Sequence, residues 1–87
     1  MKLKYTFEIM QLDDNVVAVP VGKGARDFRA AIRLNDSAAE IFNFLQDDVT
    51  EEYIISVMSQ RHGEDPNKVA EYVHEFITGL KNEAVLE

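Results

Sequence analysis

The sequence predicts an α+β domain, three antiparallel strands followed by three helices. Three observations carry that expectation. Up to Leu34 the apolar residues alternate with polar ones or form one short continuous run, as strands do. From residue 36 onward they recur at the i, i+3, i+4 spacing of helices. The length of 87 residues, with 46% hydrophobic and 29% charged side chains, fits a single globular domain over residues 1–87.

Tyr5, Phe7 and Ile9 alternate with Thr6 and Glu8, the two-residue period of a half-buried strand. The phase changes near Met10, Gln11 and Leu12, which allows a bulge. Asp13-Asp14-Asn15 is turn chemistry, because Asp and Asn tolerate left-handed backbone and bond to it locally. Val16-Val17-Ala18-Val19-Pro20-Val21 is continuously apolar and belongs in the middle of the sheet. Pro20 cannot donate to a ladder, so pairing on one side of that strand ends near it. Gly22-Lys23-Gly24 reads as a flexible loop and lacks the third glycine of a phosphate cradle. Phe28, Ala30, Ile32 and Leu34 alternate with Arg29, Ala31 and Arg33, which predicts a third strand over Phe28 to Leu34.

Asn35, Asp36 and Ser37 are all N-cap candidates for the first helix, and Ser37 with Glu40 has capping-box spacing. Ala38, Ile41, Phe42 and Leu45 form its apolar stripe. Thr50 caps the second helix, with Val49 and Ile54 spaced as a hydrophobic staple and Gly63 as its stop. Ile54, Val57 and Met58 face inward. Asp65-Pro66 opens the third helix, where the missing N–H of proline costs nothing. Its stripe is Val69, Tyr72, Val73, Phe76, Ile77 and Leu80, and Ala84-Val85-Leu86 forms a short apolar tail. A meander backed by helices is a winged-helix-like outline.

The absence of cysteine removes disulfides, thiolate chemistry and thiolate metal sites. No apolar run reaches the ~20 residues of a membrane span, and the polar N-terminus is no signal peptide, so the expected location is the cytoplasm without membrane attachment. The net charge of −7 is uneven. Residues 1–34 carry six basic and four acidic side chains, whereas residues 35–87 carry three basic and twelve acidic ones. An acidic peptide would be drawn to the first part, and a phosphate backbone repelled by the second.

No catalytic constellation is visible. His62 ends the second helix, where it complements the helix dipole, and His74 lies beside the stripe of the third. Neither belongs to a spaced ligand set, and no cofactor or metal is expected. Ser37, Ser56 and Ser59 lack a nucleophile elbow. The acidic pairs Asp13-Asp14, Asp47-Asp48 and Glu51-Glu52 serve turns and helix starts. The sequence therefore predicts a binding protein that is not an enzyme. A winged-helix DNA-binding protein is the alternative, but the third helix balances Lys68 and Lys81 against Glu71 and Glu75, without the basic face that phosphates need. The free side of the third strand remains. Arg29 and Arg33 are either gatekeepers against aggregation or partners for an added peptide strand.

The run Val16 to Val21, the segment Arg33-Leu34-Asn35-Asp36-Ser37-Ala38-Ala39-Glu40-Ile41, and Thr50-Glu51-Glu52 opening a helix resemble the PQQ-synthesis protein D family, over about residues 5–86. The resemblance implies a winged-helix-like domain that binds the leader segment of a ribosomally made precursor peptide. It would present that peptide to a modifying enzyme of the radical-SAM class. The leader would add to the third strand, in the groove beside the last helix. Carried onto this chain, the expected peptide-binding residues are Phe28, Arg29, Ala30, Ala31, Ile32, Arg33, Lys68, Val69, Tyr72, Val73 and Phe76. The expected partners are the precursor peptide and its modifying enzyme, with no nucleic acid, and the chain is expected to be a monomer or weak homodimer. The acidic surface and the Gly22–Gly24 loop depart from the quinone-pathway members, and nothing in the sequence points to the quinone itself.

Overall fold

A computed structural model describes residues 1–27 and 31–87. Strands β1 (Phe7–Leu12), β2 (Asn15–Pro20) and β3 (Ile32–Leu34) form an antiparallel meander in the order β1-β2-β3. A single helical turn, α1 (Gly24–Asp27), lies between β2 and β3, where the sequence predicts only a loop. Helices α2 (Asp36–Phe44), α3 (Glu51–His62) and α4 (Pro66–Asn82) follow. The fold is the expected α+β arrangement with one additional short helix.

The β1–β2 hairpin turns on Asp13 and Asp14, with Asp13 at φ 56°. Its register runs one-to-one from Phe7↔Pro20 to Leu12↔Asn15, so the bulge allowed near Met10 does not form. The irregular alternation there has another cause. The hairpin projects beyond the helices, and Ile9, Met10 and Leu12 remain exposed because little covers them.

The strand predicted over Phe28 to Leu34 is present at its end, as β3 over Ile32–Leu34. Ladder pairing with β2 runs from Val16↔Leu34 to Ala18↔Ile32, and Ala31 lies outside the strand. Phe28, Arg29 and Ala30 lie outside the described residues. Pro20 limits what β2 can offer on this side. Hydrogen-bonded pairs alternate along an antiparallel ladder, and the Val21 N–H donates to the Thr6 carbonyl at 3.0 Å. The β1-facing residues of β2 are therefore Asn15, Val17 and Val19. Val16, Ala18 and Pro20 face β3, and at Pro20 no N–H exists to extend that ladder.

One face of the sheet carries Ala18 and Leu34 into the core. There they join Ala38, Ile41, Phe42 and Leu45 of the α2 region, Ile54 and Met58 of α3, and Val69, Val73, Ile77 and Leu80 of α4. The Phe42 ring is fully buried and meets Phe7 edge-to-face at 5.1 Å. Helix starts follow local chemistry closely. Asn35 caps α2, its side chain accepting from the Ala38 N–H at 2.8 Å. Ser37 lies inside the first turn, and Glu40 turns instead to α3, so no capping box forms between them. Thr50 caps α3, accepting from the Tyr53 N–H at 3.1 Å, and Gly63 closes that helix in the left-handed region. Asp65 caps α4, with Pro66 in its first turn.

Val85 is fully buried, and the tail folds back as expected. It lies along the N-terminal segment: the Lys4 N–H donates to the Val85 carbonyl at 2.7 Å, and Leu3 bridges Leu86. The Glu87 N–H in turn donates to the Lys2 carbonyl at 2.9 Å. Both ends of the chain are therefore clasped to each other. Among the described residues, no helix is long and apolar enough to cross a membrane.

Replacing Thr50 with alanine removes the α3 cap and should cost about 1 kcal/mol of stability. Urea unfolding with an unchanged m-value would measure it. An unaltered midpoint would mean that water satisfies the α3 amides as well as the threonine does.

Candidate functional site

Two elements meet at the free side of the sheet. The first is β3. Because Val16 and Ala18 face β3, Leu34 and Ile32 turn their N–H and C=O groups toward β2. By the same alternation, Arg33 and Ala31 turn theirs outward. Asn35 is already committed, since its carbonyl accepts from the Ala39 N–H at 2.9 Å. The outward backbone groups in the described part of this edge are thus those of Ala31 and Arg33. No described strand covers them, because the sheet ends at β3 and the tail pairs with Leu3.

The second element is α4, whose apolar stripe divides into two. Val69, Val73, Ile77 and Leu80 face the core and are at most 2% exposed. Tyr72 and Phe76 are half-buried at its edge. With Glu75, Gly79 and Glu83 they form one wall of an open groove of about 620 Å³. Ile32 stands opposite, Ala38, Ile41 and Leu80 form the floor, and Asn35 and Ser37 lie at the rim. The α4 wall follows i, i+3, i+4 spacing from Tyr72 to Glu83. At 1.5 Å per residue it is about 16 Å long, enough for roughly five extended residues.

The expected site residues fall into distinct places. Ile32, Tyr72 and Phe76 meet at the groove. Val69 and Val73 are fully buried and are not among the residues that line it. Spacing alone does not separate the core side of the apolar stripe from its groove side. Arg33 pairs with Val17, itself paired with Met10, so its side chain shares the opposite face of the sheet with theirs. Lys68 is exposed one turn before Tyr72 and is not part of the groove lining. Phe28, Arg29 and Ala30 lie outside the described residues. Sequence reasoning missed Ser37, Glu75, Gly79 and Glu83, although continuing the Tyr72–Phe76 line by three- and four-residue steps reaches the last three.

Electrostatics of the groove are acidic at the α4 wall. The Tyr72 hydroxyl donates to Glu64 Oε1 at 3.4 Å. Burial pushes the Tyr72 phenol above its ordinary pKa, and the negative charge of Glu64, its hydrogen bond and the charge of Glu40 push it the same way. A 3.4 Å O–H···O contact is long, which agrees with burial being the leading cause. Among the described residues, neither Glu75 nor Glu83 has an ion-pair partner.

The histidines stand away from the groove lining. His62 Nε2 lies 2.8 Å from Glu40 Oε1, and Arg61 reaches the same carboxylate at 3.3 Å while covering the Phe44 ring. These contacts tie the end of α3 to α2. His74 Nδ1 lies 3.3 Å from Glu51 Oε2, tying α4 to the start of α3. Both rings make contacts between helices at the surface. Among the described residues, no group of three or more His, Cys, Asp or Glu side chains is placed to hold a metal ion.

Comparison with known proteins agrees with this geometry. A comparison with curated proteins found no match. Among solved structures, the chain is similar to TbiB1 in complex with the TbiA(beta) leader peptide, at 22% identity and a TM-score of 0.72. That match covers 100% of this chain and 95% of the other, and at such identity it establishes a shared fold. The family model of coenzyme PQQ synthesis protein D (PqqD) matches residues 15–86, from the start of β2 through the clasped tail. The chain belongs to the PqqD family.

Proposed function

We propose that this protein binds the leader segment of a ribosomally synthesised precursor peptide by strand addition at β3 and presents it to a modifying enzyme, of the radical-SAM class. The observation that carries the reading is the coincidence of the outward backbone groups of Ala31 and Arg33 with an apolar groove beside them. Membership of the PqqD family supports it, and so does the similar fold of TbiB1, which was solved with a leader peptide. The protein acts as an adaptor. It contributes no reacting group, and the chemistry belongs to the enzyme it serves.

The division of labour follows from magnitudes. Two outward-facing residues offer at most four backbone hydrogen bonds, each contributing about 0.5–1.5 kcal/mol net. A micromolar complex needs about −8 kcal/mol after the cost of association. Backbone pairing therefore sets register, and side chains entering the groove supply most of the affinity. In an added strand every second side chain points to the helical side, toward Ile32, Tyr72 and Phe76. The remaining positions face outward and are free to be read by the enzyme.

Arg33→Pro removes one outward N–H without touching the ladder to β2. Isothermal titration with the precursor leader should show at least a tenfold loss of affinity, while circular dichroism reports a retained fold. Undiminished binding by the folded variant would rule out strand addition at this edge. Phe76→Ala should weaken binding by about 1–2 kcal/mol through lost apolar contact, with the Arg33 amide still shifting in a two-dimensional NMR titration. If Phe76→Ala leaves the affinity intact, the groove is not where the peptide side chains go.

Tyr72 provides a pH signature. Its raised pKa means that the folded state keeps a proton that the unfolded chain releases. The associated stability is therefore present below about pH 10 and is lost as pH rises through the folded value. A peptide lying over the ring adds burial and should move the Tyr72 titration further upward, as read from the ring carbon shift. A titration that stays in place would mean that the bound peptide leaves Tyr72 uncovered.

A further inference from the structure

We infer that the groove selects a leader segment that is apolar on alternate residues and cationic at its ends, and discriminates against acidic segments. This rests on the strand-addition reading and names the chemistry of its ligand. The basic excess of the first part of the chain is not what determines it. Arg33 lies on the sheet face opposite the helices, and Lys68 lies outside the groove lining. Inside the groove the ionisable groups along α4 are Tyr72, Glu75 and Glu83. Glu64 adds a further carboxylate where it meets the Tyr72 hydroxyl.

Their spacing defines a pattern. Glu75 lies on α4 and Glu83 is its C-cap residue, eight positions on and about 12 Å along the helix axis. An extended strand covers that distance in three to four residues. Only residues separated by an even number share a face, so two cations at i and i+4 meet both glutamates. The residue at i+2 then falls between them, beside Phe76, Gly79 and the Ile32 wall. Gly79 adds no side chain to that wall, and a Cβ built there would meet nothing within 4 Å. The middle of the groove is therefore wide enough for a branched or aromatic residue. Both glutamates lack partners among the described residues. An incoming Lys or Arg thus gains an ion pair without displacing an existing one, while an incoming Asp or Glu meets unscreened like charge. The net charge of −7 works in the same direction at long range.

The test is a selection of random 12-residue peptides displayed on their own messenger RNA, run on the full-length protein. Arg33→Pro serves as the counter-target. Peptides that bind the wild type and lose Arg33→Pro should be enriched in Lys or Arg at i and i+4 around an apolar i+2. For the best of them, Glu75→Gln with Glu83→Gln should weaken binding about three- to tenfold and flatten its dependence on salt. Both glutamates are solvent-facing, so the double variant should keep its thermal melt, and NMR shifts at the Arg33 amide confirm the binding place in the wild type itself. Groove-binding peptides that are acidic or uncharged at those positions, or that ignore the double variant, overturn the charge pattern and leave strand addition standing. Peptides that bind without shifting the Arg33 amide and without sensitivity to Arg33→Pro overturn both.

Discussion

The four buried residues of α4 hold everything else in place. Val69, Val73, Ile77 and Leu80 press the helix into the core so completely that its next residues around, Tyr72 and Phe76, are set at a fixed height beside β3. If that stripe were narrower, α4 would roll, and the groove would close onto Ile32 or open into solvent. A close-packed interior resists such motion, because each ångström of displacement forfeits many small contacts at once. His74 with Glu51 and the Tyr72–Glu64 contact restrain the same helix from its polar side, but exposed pairs of this kind contribute little energy. They bias rotation; the apolar stripe fixes position.

The sheet side of the groove depends on hydrogen-bond parity. An antiparallel strand sends its backbone groups to alternate sides, so with Ile32 and Leu34 bonded inward, Arg33 and the preceding Ala31 are left to offer theirs. Pro20 limits that ladder from within β2. The tail could have filled the free edge, but it is used elsewhere: Val85 sinks into the core and its carbonyl accepts from Lys4. Clasping the two ends of the chain together keeps both away from β3. An edge this short is also a weak template for aggregation, which reconciles its openness with the rule that native proteins guard their sheet edges.

Much of this was legible in the sequence where the physics is local. Asn35, Thr50 and Asp65 cap because short polar side chains next to an apolar helical repeat satisfy the first amides. Gly63 stops α3 because it takes positive φ without strain. The hairpin at Asp13-Asp14 and the central place of β2 were equally readable. What failed was non-local. The phase change at Met10 looked like a bulge but reflects a hairpin that outruns its cover. One apolar stripe also carries no mark of where the core ends, so the buried Val69 and Val73 share it with the half-buried Tyr72 and Phe76.

That last ambiguity bears on how a domain so small acquires a binding surface. With 87 residues it has few apolar side chains beyond those needed for a core. It does not build a separate pocket. It lets one helical stripe run about 60° wider than packing requires, so that the edge residues are half-covered by their own neighbours and half-available to a guest. Tyr72 and Phe76 are therefore both core margin and ligand contact, and polar residues must define where the guest begins. Glu75, Glu83 and the N-terminus of α2 at Asn35 and Ser37 do this by ringing the apolar floor with groups that keep water when the groove is empty. The same ring that keeps an exposed apolar strip soluble is what gives it charge selectivity.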